Sequence, residues 1–150
     1  SRGSVRITSP IPTDYPKITL NYLSSNEDEG IAVSSLEFTR KIMKAKSLQR
    51  FNPKEILPGP KIKSESALLD AAREIGTTIY HPVGTCKMGH DIMAVVNDRL
   101  QVHNVKKLRV IDASIMPRIT SGNTNAPTVM IAEKGSEFIL QDSVKIKNSH

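Results

Sequence analysis

The sequence predicts an α+β fold, and three observations carry that prediction. Apolar and polar residues alternate near the start; helical periodicity with capping residues recurs in the middle and at the end; and one apolar run, Leu108-Arg109-Val110-Ile111-Asp112, ends in small polar residues. The 150 residues fit one domain by length and suffice to bury a core without metals or disulfides. One thiol, Cys86, excludes an intramolecular disulfide. With 38% hydrophobic and 24% charged residues, the composition is that of a packed chain rather than a disordered one.

Val5 and Ile7, then Ile18, Leu20 and Tyr22, follow the period of two expected of half-buried strands, while Pro10, Pro12 and Pro16 mark the connection between them. Ser25 followed by Asp28 resembles a capping box, and Glu27, Asp28 and Glu29 place negative charge where a helix dipole is positive. A helix is predicted from there, with Leu36, Ile42, Met43 and Leu48 as its buried stripe and Lys41, Lys44 and Lys46 toward its far end. Pro53, Pro58 and Pro60 make a loop. Ser64 caps a second predicted helix that runs through Ile75, with Ala67, Leu68, Ala71, Ala72 and Ile75 inward and Gly76 as its stop. Thr77 to Tyr80 reads as extended, Leu108 to Asp112 as a strand, and Thr128 to Leu140 as a last helix whose first turn suits Pro127.

The net charge of +6 is concentrated in one place: eight basic residues between Arg40 and Lys63 face a single acid, Glu55. Such a run can bind a polyanion, but it has one aromatic, Phe51, and no glycine-rich or zinc-finger pattern. An ordinary solvated face is the simpler reading, and no nucleic-acid partner is expected. No apolar run is long enough for a membrane span or a signal peptide. The chain opens Ser1-Arg2-Gly3-Ser4-Val5 without an initiator methionine, so it reads as an excised piece whose parent cannot be assigned a compartment.

Three places offer chemistry. His81 precedes Pro82, which fixes the backbone, and Gly84, which allows close approach by a ligand; on spacing alone a satisfied structural histidine is the commoner outcome. Cys86 with His90, His81 and Asp91 lacks the paired spacing of a zinc site, so no metal is expected, and Cys86 reads as a small buried residue. Asn123 to Thr128 places small polar groups before a helix, where open N–H groups favour anions or electron-rich oxygens; capping is the ordinary alternative. Asp112 ends its apolar run where α/β proteins hold cofactors, or where a turn simply needs an aspartate.

Taken together, the blocks His81-Pro82-Val83-Gly84-Thr85-Cys86-Lys87-Met88-Gly89, Leu108 through Pro117, and Ser121-Gly122-Asn123-Thr124-Asn125-Ala126-Pro127-Thr128 through Lys134 resemble, in order, the C-terminal region of glucose–methanol–choline (GMC) oxidoreductases. The animal glucose dehydrogenase and choline dehydrogenase branch is the nearest in appearance. The resemblance implies an FAD enzyme that passes hydride from an alcohol or sugar carbon to the flavin. It further implies that His81 accepts the hydroxyl proton and that Asn125 holds the substrate oxygen. Asp112 and Ala113 fall beside the ribityl and phosphate portion of the cofactor, and Asn125, Ala126, Pro127 and Thr128 along its isoalloxazine edge.

The implied fold is a substrate-binding domain, a mixed or antiparallel sheet with helices, over about residues 1–105. Residues 106–142 would add the last strand and helix of an FAD domain, and 143–150 a flexible tail. Asn97 stands where the family usually has Asp, Asn104 near a usual glycine, and Arg118 where Thr is common, which puts local turns in question. The phosphate-binding G-x-G-x-x-G is absent, so an N-terminal FAD-binding portion is missing and the piece alone is expected to be inactive. A flavin-fold lyase of the same family and a non-catalytic basic binding module are the alternatives.

Overall fold

The computed structural model describes residues 1–147, with side chains through Val144. The chain forms two compact units, Ser1–Thr77 and the residues from Thr78 onward.

In the first unit, β1 (Ser4–Arg6) and β2 (Lys17–Thr19) pair antiparallel, with Val5 opposite Ile18. The predicted alternation is therefore present, but each strand is three residues long, and Ile7, Leu20 and Tyr22 lie outside the pair. Gly3 is required beside it: a Cβ there would meet the Thr19 carbonyl oxygen at 2.2 Å. The proline-rich connection is held by Ser9 Oγ, which accepts from the Ile11 amide at 3.0 Å, and by Thr8 Oγ1, which donates to the Tyr15 carbonyl at 2.9 Å.

Helix α1 (Asn26–Met43) starts where its acidic first turn predicts, with Ser25 accepting from the Asp28 amide. Its buried side is not the predicted stripe. Val33 is buried, Leu36 and Arg40 are half-buried, and Ile42 and Met43 are exposed. The inward position of Arg40 explains the rotation. Its guanidinium grips Glu55 at 3.0 and 2.6 Å and donates to the Gly59 carbonyl at 3.1 Å, so a residue from the basic run ties the following loop to the helix. That hydrogen bond, with the Arg40 charge and the Gly59 amide, outweighs desolvation and holds the Glu55 carboxyl below its usual range.

The helix breaks at Ala45, which is extended, and resumes as one turn, α2 (Lys46–Gln49); Gln49 Nε2 donates to the otherwise open Met43 carbonyl at 2.7 Å. Helix α3 (Glu65–Ile75) begins as predicted at Ser64, which accepts from the Ala67 amide, and it packs on α1 through Leu68, 1% exposed, and Ala72. Ile75 is exposed rather than inward. Gly76 ends the helix in an extended conformation, φ −64°, not the left-handed one that glycine usually provides.

The second unit is mostly irregular up to residue 124. Its core joins Val96, wholly inaccessible, to Leu100, Ile115, Met116 and Ile131. The strand predicted over Leu108–Asp112 is not formed among the described residues. Only Arg109 makes a bridge, antiparallel to Gln101 and closed by the Val102 amide on the Leu108 carbonyl at 3.0 Å and the Val110 amide on the Leu100 carbonyl at 3.1 Å, and the pairing extends no further. After it comes a 3₁₀ turn, Ala113–Ile115. Helix α4 runs from Asn125 to Lys147, longer at both ends than predicted; the expected tail is thus helical from 143 to 147, and 148–150 lie outside the described residues.

Two of the family-pattern departures are resolved by geometry. Asn97 Oδ1 accepts from the amides of Arg99 at 2.9 Å and Gln101 at 3.0 Å, which is the turn-holding task an aspartate would perform. Asn104 has φ 61°, and asparagine tolerates this left-handed conformation nearly as glycine does.

Helix α4 is anchored near its far end by Asp142, which pairs with Arg99 at 2.8 Å and with Arg109; Arg99 also lies 4.5 Å over the Phe138 ring. Partial burial pushes the Asp142 carboxyl up, but the Arg109 hydrogen bond and the Arg99 charge prevail and hold it below the ordinary carboxylate range. A carboxyl lowered by folding contributes its full stabilisation above the unfolded value, about 4, and loses it as pH falls through the folded value. Asp142→Asn is therefore expected to lower Tm at pH 7, with the gap to the unaltered protein closing as pH drops below about 4. A gap of constant size from pH 7 to pH 3, measured by thermal melts, would contradict this.

Candidate active site

Six of the predicted site residues, with Thr124 before them, lie on two elements of the second unit: the 3₁₀ turn and the start of α4. His81 is on neither. It follows Tyr80, which adopts φ 63° although aromatic residues rarely tolerate positive φ. Thr77 to Tyr80 is thus not a plain extended segment; Tyr80 turns the chain sharply just before the histidine, and its amide bonds Thr78 Oγ1 at 3.0 Å. Backbone strain of this kind concentrates at functional positions.

The segment after His81 is tied to the turn that Asp112 begins. The Cys86 amide donates to the Ser114 carbonyl at 3.0 Å and the Met88 amide to the Ile115 carbonyl at 2.8 Å. Gly84 sits at φ 88°, where a Cβ would also come within 3.3 Å of the Met116 carbonyl oxygen. Here glycine is needed by the backbone itself, whatever a ligand requires. Cys86 is half-buried, as a packing residue. His90 is exposed beside Asp98, and His103 Nε2 bonds the Gly89 carbonyl oxygen at 3.0 Å. Among the described residues no group of three His, Cys, Asp or Glu side chains could hold a metal ion.

His81 Nδ1 and Thr124 Oγ1 share a hydrogen bond of 2.8 Å, joining residues 43 apart. Thr124 is the one buried polar residue among those described, 7% exposed. Sequence reasoning passed over it as a helix cap. It does occupy the cap position, since its carbonyl accepts from the Thr128 amide at 3.0 Å and from Thr128 Oγ1 at 2.6 Å. Its side chain does not follow the usual pattern. A capping threonine accepts from the second or third helical amide, and the third residue here is Pro127, which has no N–H. The proline three places on was the available signal.

Asn125, the next residue, begins the helix and is exposed, as is Ala126; Pro127 and Thr128 are half-buried. The amides of Asn125 and Ala126 lie in the first turn of α4 and have no partner in the helix ladder, where the helix dipole adds to their positive character. Asp112 uses Oδ1 to accept from the Ser114 amide at 2.8 Å and from the Ser114 hydroxyl, so its carboxylate is in the first place a turn former. Ala113 follows it, half-buried.

The GMC oxidoreductase family model matches residues 1–132. Over 141 residues the chain is 45% identical to the alcohol dehydrogenase (acceptor) of Pseudomonas putida, covering 94% of this chain and 26% of that protein. It is 48% identical over 139 residues to the oxygen-dependent choline dehydrogenase of Pseudomonas savastanoi pv. phaseolicola, with 93% and 24% covered. The solved structure of pyridoxine 4-oxidase from Mesorbium loti superposes with a TM-score of 0.84 at 36% identity, over 90% of this chain and 26% of that one. These relatives are dehydrogenases and an oxidase. The chain belongs to the GMC oxidoreductase family, and it spans about a quarter of the length of the relatives it matches.

Proposed function

We propose that residues 1–150 are the C-terminal part of a longer FAD-dependent enzyme that oxidises the CH–OH group of a small alcohol or sugar. The hydrogen bond between His81 and Thr124 carries this reading: it seats the imidazole beside the first residues of α4 and engages Nδ1, which leaves Nε2 as the nitrogen available for a substrate proton.

The residues present suit part of an FAD site. The first-turn amides of Asn125 and Ala126, reinforced by the helix dipole, match the charge that a reduced flavin carries at its pyrimidine edge. The Asp112–Ala113 backbone would face the ribityl and phosphate portion. When bound, FAD supplies the acceptor for the hydride that leaves the alcohol carbon. His81 takes the hydroxyl proton at Nε2, the Asn125 amide orients the substrate oxygen, and the alcohol becomes a carbonyl.

The rest of the FAD site must come from elsewhere in a longer chain. No G-x-G-x-x-G is present, and large apolar side chains such as Tyr15, Ile56 and Ile92 are almost fully exposed, as they would be if a missing portion covered them. No helix among the described residues is long and apolar enough to cross a membrane. Residues 1–150 expressed alone are expected to retain no flavin absorbance after gel filtration with FAD. One FAD per chain would refute that. For the parent enzyme the test is anaerobic: bleaching of the flavin by an alcohol supports oxidation, while no bleaching by any of a panel of alcohols and sugars counts for lyase chemistry instead.

A further inference from the structure

We propose that Thr124 is a positioning residue that sets the tautomer of the catalytic imidazole, its hydroxyl oxygen accepting Nδ1–H of His81 so that Nε2 is left as the bare, proton-accepting nitrogen. The inference rests on the reading of His81 as the base.

The direction of this hydrogen bond follows from the start of α4. At a helix cap the side-chain oxygen serves as an acceptor. Pro127 removes the N–H of the third helical position, so the helix supplies one donor fewer to the Thr124 oxygen, and the Nδ1–H of His81, 2.8 Å away, supplies one instead. Thr124 is buried, so a group at this position is held to one arrangement more firmly than an exposed one. The opposite arrangement, in which the hydroxyl donates to Nδ1, would put the ring proton on Nε2, and a neutral imidazole of that form has no lone pair to offer a substrate. With Nδ1–H bonded to Thr124, the proton that leaves the alcohol O–H bonds to Nε2, and the imidazolium formed keeps its Nδ1–H on the threonine. Proline therefore has a chemical consequence three residues from the cap: it withholds from Thr124 the partner that would turn it away from His81.

The test uses the parent holoenzyme with Thr124→Val, which keeps shape and removes the acceptor, and Thr124→Ser, which restores it. FAD content is the check on folding. Thr124→Val is expected to lower kcat about tenfold, the factor that one hydrogen bond of orientation supplies, with KM changed less than about twofold, and Thr124→Ser is expected to recover most of the rate. Histidine-selective ¹⁵N spectra of the unaltered enzyme should give the His81 signals of the Nδ1–H tautomer, and Thr124→Val should mix the two forms. A wild-type spectrum with the proton on Nε2 overturns the proposal, and that measurement stands even if the valine variant fails to fold. So does a valine variant of full kcat, or a serine variant as slow as valine. His81→Ala separates the two levels: if it keeps full activity, the base reading itself is lost.

Discussion

In the parent enzyme, His81→Ala is expected to slow flavin reduction by alcohol about 10²- to 10⁴-fold, the range supplied by a positioned general base, while FAD stays bound. The histidine is half-buried and outside the hydrophobic cluster of its unit, so its removal takes away proton acceptance and one hydrogen bond rather than core packing. The proton moves only as the alcohol is oxidised. The loss should therefore fall on kcat, with a smaller change in KM, because ground-state binding does not use a base. Raising the pH should recover part of the rate in the variant as hydroxide takes over. Stopped-flow reduction within about tenfold of the unaltered enzyme would remove His81 from the base role.

How far such a site is legible in sequence depends on whether the residue type or its partner carries the information. His81 and Asn125 are singled out by the family resemblance, since by residue type and spacing alone each has an ordinary structural explanation, whereas Ser25 and Ser64 are legible caps because capping is local. Thr124 was not legible in that way. A threonine before a helix has an ordinary explanation, and only the absent N–H of Pro127 hints that its oxygen is free for a residue 43 positions away. Asp112 shows the converse: the sequence marks it correctly as the end of an apolar run, yet its oxygen is bound to Ser114 within two residues. The stripe of α1 failed because Arg40 counts as polar by type, although its ion pair with Glu55 draws it inward. The strand at 108–112 failed because apolar content does not say how far a partner runs alongside, and here the pairing with Leu100 to Val102 stops after a single bridge.

Substitution of Gly135 decides between two effects of opposite sign. The residue lies within α4 and is buried, and glycine inside a helix costs about 1 kcal/mol relative to alanine, so propensity alone has Gly135→Ala stabilising the chain. Packing argues the other way. A Cβ at 135 would lie 2.6 Å from Cγ2 and 2.8 Å from Cδ1 of Ile111, closer than carbon atoms approach without displacement. Overpacking of this kind costs about 1–3 kcal/mol, and Ile111, itself packed against the core of the unit, has limited room to yield. Gly135→Ala is therefore expected to lower Tm modestly. Gly135→Val adds, beyond the alanine Cβ, two methyl groups against the same isoleucine and has poorer helix propensity than alanine, so it should cost roughly 3 kcal/mol or more. Ile111→Ala should be less harmful in the Gly135→Ala background than alone, since it vacates the space the new methyl needs, and a double-mutant cycle reads that coupling. A rise in Tm for Gly135→Ala would mean that propensity outweighs the contact. The effect reaches the site through the helix itself: Ile111 adjoins Asp112, and α4 begins at Asn125, so pushing α4 off Ile111 moves the helix start that carries Thr124 relative to His81. Gly135→Val should accordingly lower kcat as well as Tm, whereas Asp142→Asn, at the other end of the helix, should lower Tm with kcat little changed.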